Sequence, residues 1–130
     1  MNNKKIILIA DDDQDCLNII KFHVEKFGFE TIIAESQKEC EEIIETTKPD
    51  LAIFDLMMEN DDSGFILSYK FKKKYPDTPI ILATASSSVS GYIFELENET
   101  DKSWMKADAY LEKNIRPDQL HREINKLLKL

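Results

Sequence analysis

Short apolar runs alternate with longer stretches carrying a helical stripe from one end of this chain to the other, and that alternation narrows the folds open to it more than any other feature. Ile6 to Ala10 is a compact apolar run that predicts a buried strand. Gln14 to Phe27 repeats apolar residues at Leu17, Ile20, Val24 and Phe27, a helix closed by Gly28 at the position just past its end. Glu30 to Ala34 predicts a second strand. Ser36 with Glu39 forms a capping box opening a helix to about Thr46, and Lys48-Pro49-Asp50 breaks it. Leu51 to Phe54 reads as the third strand; a loop rich in Glu, Asn and Asp then runs to Gly64. A helix from Phe65 to about Lys74 follows, then strands at Pro79 to Ala83 and Ala109 to Glu112. Pro117 opens a last helix with apolar positions Leu120, Ile124, Leu127 and Leu128. Strictly alternating strands and helices argue for a parallel sheet covered on both faces. With no internal repeat and no interdomain linker, residues 1–130 read as one α/β domain with no output domain.

The chain has enough apolar residues, 42%, for an ordinary core, and its formal net charge is −8. That charge argues against a nucleic-acid binder, whose affinity rests mainly on Lys and Arg contacts to phosphates. The basic cluster Lys70, Lys72, Lys73 and Lys74 falls at the end of a predicted helix, where cations suit the negative end of the dipole, and reads as a solvated helix end. Cys16 and Cys40 have neither metal-ligand spacing nor a disulfide framework. The amino terminus lacks a signal-peptide apolar segment, and no apolar stretch is long enough to span a bilayer, so a soluble cytoplasmic protein is expected.

Ligands of open α/β sheets bind beyond the carboxyl ends of the strands, so the residues leaving those ends carry the functional question. Here they are Asp11-Asp12-Asp13, Asp55, Thr84 and Lys113, at the ends of the first, third, fourth and fifth strands. Carboxylates converging on one edge repel each other without a cation, and oxygen ligands with no His or Cys beside them suit a hard ion such as Mg²⁺. A lysine and a hydroxyl opposite them add donors for an anion. Together these groups describe a phosphoryl-transfer site in which positioning and charge neutralisation do most of the work. Taken singly each is weak: acidic residues after a strand are usually a solvated loop or a cap, and Asp13 is the expected cap of the first helix.

Four segments, in order, resemble the response-regulator receiver domain of two-component signalling, in its single-domain, chemotaxis-regulator-like form. Ile-Leu-Ile-Ala-Asp11-Asp12-Asp13 resembles its opening strand and acidic pair, and Asp50-Leu-Ala-Ile-Phe-Asp55-Leu-Met-Met is similar to its acceptor strand. Pro79-Ile-Ile-Leu-Ala-Thr84-Ala85 resembles its switch-threonine strand, and Ala109-Tyr110-Leu-Glu-Lys113 its lysine strand. The resemblance implies a flavodoxin-like, doubly wound sheet of five parallel strands in the order 2-1-3-4-5. It implies Asp55 as phospho-acceptor and Mg²⁺ held by Asp11, Asp12, Asp55 and the backbone carbonyl of Met57. It further implies Thr84 and Lys113 on the phosphoryl oxygens, Ala85 as the small residue leaving room for the group, and Tyr110 as the switch aromatic. The implied donor is a sensor histidine kinase or a histidine phosphotransfer protein, the target an unknown downstream protein, and the state a monomer or a phosphorylation-dependent dimer. No nucleic acid or membrane partner is expected. Catalysis is limited to self-catalysed phosphoryl transfer and autodephosphorylation.

Three departures bear on that resemblance. Glu59 replaces the family's proline beyond the acceptor, in a loop one residue longer than usual; Asn114 replaces the proline after the lysine; and Thr84 to Lys113 spans 29 residues, about two helical turns longer than the family pattern. The extra length lies within residues 86–106, which include Trp104 and an expected helix at 92–97. His23 and His121 read as surface residues, Met57-Met58 as core, and Phe22, Phe27, Phe29 and Phe71 as core and helix–sheet contacts. A haloacid-dehalogenase-type phosphatase expects D-x-D, whereas Leu56 and Met57 follow Asp55. A nucleotide or flavin module needs a Gly- or Ser/Thr-rich phosphate loop after the first strand, where this chain is triply acidic. A phosphorylation-independent adaptor with a degenerate site is the remaining alternative.

Overall fold

The computed structural model describes residues 4–56, 58, 63–84, 108–112 and 116–130, with only the backbone described at Thr84. The strands are β1 (Ile6–Ala10), β2 (Glu30–Ala34), β3 (Leu51–Asp55), β4 (Ile80–Thr84) and β5 (Ala109–Glu112). All pair in parallel, in the order β2-β1-β3-β4-β5. The described helices are α1 (Gln14–Lys26), α2 (Gln37–Thr46), α3 (Ser63–Lys74) and α4 (Pro117–Leu128). The doubly wound five-stranded sheet expected from the sequence is the observed architecture.

Period-two alternation sorts the strand side chains onto two buried faces. Leu8, Ala10, Ala52, Phe54, Ile80 and Leu82 pack with Cys40 and Ile44 of α2 and Leu67 and Phe71 of α3. Ile7, Ile9, Leu51, Ile53, Ile81 and Ala83 pack with Leu17 and Val24 of α1 and Leu120 and Ile124 of α4. Both faces being covered explains why the strands read as continuous apolar runs.

Helix ends follow local chemistry. Asp13 caps α1, its Oδ1 accepting from the Asp15 and Cys16 N–H groups at 3.0 and 3.4 Å. Phe27 is the C-cap, and Gly28 takes the left-handed turn at φ +102°, a conformation that favours glycine. Ser36 Oγ accepts from the Glu39 N–H at 3.0 Å, while Glu39 Oε1 accepts from the Glu35 N–H at 3.3 Å. The far end of α2 is closed by α3 and the turn after it: the Tyr75 hydroxyl donates to Ile44 O at 2.7 Å and Lys74 Nζ to Glu45 O at 2.8 Å.

Two aspartates just ahead of strands clip the sheet in register. Asp50 donates its N–H to Ile6 O and accepts the Ile6 N–H on Oδ2, both at 2.8 Å. Asp108 repeats the arrangement on Ile80, again at 2.8 Å in both directions, and Lys72 Nζ pairs with its carboxylate at 2.9 Å.

Several sequence expectations shift. β3 extends to Asp55 and β4 to Thr84, each still hydrogen-bonded to its neighbour, and α3 starts at Ser63, ahead of the expected Phe65. The lysine cluster is more than a solvated helix end: Lys70 pairs with Glu41, Lys74 with Glu45 and Lys72 with Asp108. Phe22 is not a core contact, being 61% exposed on α1. His121 is held against the fold by a stacked contact with Phe27, ring centroids 4.1 Å apart. No described helix is long and apolar enough to cross a membrane.

Candidate functional site

The strand order reverses at β1, whose neighbours are β2 on one side and β3 on the other, and the carboxyl ends of strands at such a reversal are where open α/β sheets bind ligands. Ala10 lies opposite Phe54 in the register, which carries Asp11 and Asp55 side by side out of the two central strands. Both are buried, at 1% and 5% exposure, whereas Asp12 is exposed.

The three consecutive aspartates have separate tasks. Asp11 donates its N–H to Ala34 O at 3.1 Å, extending the β1–β2 pairing, and its Oδ1 accepts the Asp13 N–H at 2.9 Å. That bond turns the chain sharply, and Asp13 is taken up by capping α1. Asp12 sits at the apex of the turn. Asp55 is the last residue of β3, opposite Ala83, and the next residue, Leu56, donates its N–H to Ala83 O at 2.9 Å.

One carboxylate oxygen from each of Asp11, Asp12 and Asp55 can be chosen so that all lie within 4.8 Å of one another. An ion bound 2.0–2.1 Å from oxygen ligands in octahedral geometry spaces them by about 3.0 Å when adjacent and about 4.2 Å when opposite. The three oxygens therefore suit a small hard cation, and their mutual repulsion favours one.

The remaining sequence-predicted residues are distributed unevenly. Thr84 ends β4 with its backbone opposite Glu112, the residue just before Lys113. Tyr110 lies in β5 opposite Leu82, half-buried against the face shared with Phe54 and Leu82. Met57, Ala85 and Lys113 lie outside the described residues, as do Glu59, Asn114, Trp104 and the expected helix at 92–97. Met58 is half-buried against the core, as expected.

Sequence reasoning passed over Gly64. It lies in the first turn of α3, and a Cβ there would come within 2.7 Å of Asp55 O and of Leu56 Cα. Its N–H donates to Leu56 O at 2.8 Å. In the sequence Gly64 reads only as the end of a loop; its place inside α3, where a glycine costs about 1 kcal/mol relative to alanine, and its close approach to β3 emerge from the fold.

The sequence model of the response regulator receiver domain matches residues 7–125. Curated relatives include a probable transcriptional regulator, ycf27, of Cyanophora paradoxa, 32% identical over 98% of this chain and 49% of that protein. The alkaline phosphatase synthesis transcriptional regulatory protein PhoP of Bacillus subtilis is 27% identical, also over 98% and 49%. The chain thus spans about half the length of the curated relatives it matches. Among solved structures, a CheY-like receiver domain protein of Methanospirillum hungatei is 32% identical with a TM-score of 0.81, covering 98% of this chain and 95% of that one. The response regulator TrrA of Thermotoga maritima, solved in complex with Mg²⁺-BeF, is 28% identical with a TM-score of 0.78, covering 95% and 98%. The fold, the acidic cluster and these matches agree: this chain belongs to the response regulator receiver domain family of two-component signalling.

Proposed function

We propose that residues 1–130 act as one receiver unit that accepts a phosphoryl group on Asp55, with a phosphohistidine of a sensor histidine kinase or a histidine phosphotransfer protein as donor. The observation that carries this reading is the convergence of Asp11, Asp12 and Asp55 at the carboxyl edge of the sheet, oxygens within 4.8 Å, in a chain of this family. An Asp55 carboxylate oxygen attacks phosphorus, the P–N bond to imidazole breaks, and the histidine nitrogen leaves with the bonding pair. Asp11, Asp12, Asp55 and the Met57 carbonyl hold Mg²⁺, which supplies charge neutralisation for the incoming phosphoryl oxygens.

Thr84 and Lys113 bind phosphoryl oxygens, and Ala85 leaves them room. The added charge, about −1.5 to −2, draws Thr84 inward, and Tyr110 moves into the space released, altering the face of strand four, the expected helix at 92–97 and strand five. The chemistry is self-catalysed transfer and autodephosphorylation rather than turnover of a separate substrate. The output is a changed affinity for a downstream protein or for a second copy of the chain, in the cytoplasm where ATP-fuelled kinases act. In a longer chain like those of its transcriptional relatives, DNA contact would fall to the other half, because these 130 residues carry a net charge of −8.

Beryllofluoride, an acyl-phosphate mimic, tests the reading. With Mg²⁺ present it should give a bound ¹⁹F resonance, as expected from a relative crystallised with Mg²⁺-BeF. The signal should vanish with EDTA and in Asp55→Asn; a bound signal that survives in Asp55→Asn would refute it.

A further inference from the structure

We infer that Gly64 is a positioning residue for the acidic site: by leaving out a side chain, it lets the first turn of α3 close on the peptide that follows Asp55 and fix its direction. The inference rests on the metal-site reading above and assigns a role to a residue on a different element.

Leu56 stands between the proposed acceptor, Asp55, and the proposed carbonyl ligand, Met57. Both of its backbone groups are engaged. Its N–H donates to Ala83 O at 2.9 Å and its C=O accepts from the Gly64 N–H at 2.8 Å. The second bond ties the residue that follows β3 directly to the first turn of α3. That helix is itself fixed in the core by Leu67 and Phe71, both fully buried, and its buried Ser68 donates Oγ–H to Gly64 O at 2.8 Å.

The close approach has no slack. A Cβ on Gly64 would lie 2.7 Å from Asp55 O and 2.7 Å from Leu56 Cα, both backbone atoms, and 2.9 Å from Leu82 Cδ2. Restoring ordinary contact at 3.4 Å requires about 0.7 Å of separation between α3 and the end of β3. Because β3 is held between β1 and β4, the movement falls on the helix and on the Leu56–Gly64 bond. A metal site is sensitive to displacements of this size, and loss of an outer-shell support typically weakens metal affinity by about 10–100-fold.

Isothermal titration with MgCl₂, without phosphoryl donor, compares the unsubstituted chain with Gly64→Ala well below either melting temperature. The expected result is a Mg²⁺ Kd at least about tenfold higher in Gly64→Ala, with circular dichroism unchanged. Adding Leu82→Val should not restore affinity, because the two backbone contacts remain. An unchanged Kd in folded Gly64→Ala overturns the inference, as does rescue by Leu82→Val, which would assign the effect to core packing. If the unsubstituted chain binds no Mg²⁺, the metal-site reading falls and this inference with it. Should Gly64→Ala fail to fold, amide exchange in the unsubstituted chain decides. By linkage, saturating Mg²⁺ must slow exchange of the Gly64 N–H beyond any slowing at the Tyr75 N–H just past the other end of α3. Equal slowing at both overturns it.

Discussion

Replacing Asp12 by asparagine should stabilise the metal-free protein. The substitution keeps the shape of an exposed side chain and removes one of three charges whose oxygens lie within 4.8 Å of one another. At that separation two unit charges repel by about 0.9 kcal/mol in bulk water and about 3.5 kcal/mol at an effective dielectric constant near 20. Asp12 is exposed, so the lower figure applies, and screening at physiological salt cuts it to about 0.5 kcal/mol per pair. Removing its two pairs therefore gains about 1 kcal/mol, or a melting temperature higher by about 3–6 °C for a domain of this size. Thermal melts in EDTA measure it, and the gain should shrink in 0.5 M NaCl. Saturating Mg²⁺ should reverse the order, since a ligand at 100 times its Kd stabilises the native state by about 2.7 kcal/mol and the variant binds it less well. An Asp12→Asn protein that melts below the unsubstituted chain in EDTA would mean that Asp12 supports the fold rather than straining it.

Tyr75→Phe should cost about 1 kcal/mol in urea unfolding, because it leaves the Ile44 carbonyl at the end of α2 without its 2.7 Å donor; no change would mean that water replaces the hydroxyl. Burial, helped by the neighbouring Glu41 and Glu39 charges, pushes the Cys40 thiol up from about 9 to about 12, so iodoacetamide at pH 8 should label half-exposed Cys16 and spare Cys40 until the chain unfolds. Because the folded value lies above the unfolded one, Cys40's contribution is intact below pH 9 and is lost as pH rises toward 12. Relative to Cys40→Ala, stability should therefore fall by about 1 kcal/mol per pH unit over that interval; parallel curves would contradict the assignment.

The elements most legible in the sequence are those whose ends carry their own chemistry. Asp13, Ser36, Gly28 and Pro117 mark helix boundaries by side-chain oxygen, missing Cβ or missing N–H, and the structure uses each of them there. The start of α3 is hidden in the sequence because Glu59 to Ser63 is a polar run and Gly64 reads as a breaker; what seats it is a close approach to β3 that no local pattern encodes. Phe22 shows the opposite limit: aromatic spacing alone does not say which side of a helix faces the sheet. The lysines of α3 looked solvated because their partners Glu41 and Glu45 come from α2, about 29 residues earlier in the chain. The acidic cluster was readable because the order 2-1-3-4-5 implied by the receiver resemblance sets the first and third strands side by side, and the observed register brings Asp11 and Asp55 out together.

The central claim, that Asp55 is a Mg²⁺-dependent phosphoryl acceptor, is tested most directly by intact-mass measurement after incubation with acetyl phosphate and MgCl₂. The expected result is a single added phosphoryl group, about 80 Da, that hydroxylamine removes as it does acyl phosphates and that appears neither in EDTA nor in Asp55→Asn. An adduct of unchanged yield in Asp55→Asn, or none in the unsubstituted chain under conditions where Mg²⁺ is bound, would contradict it.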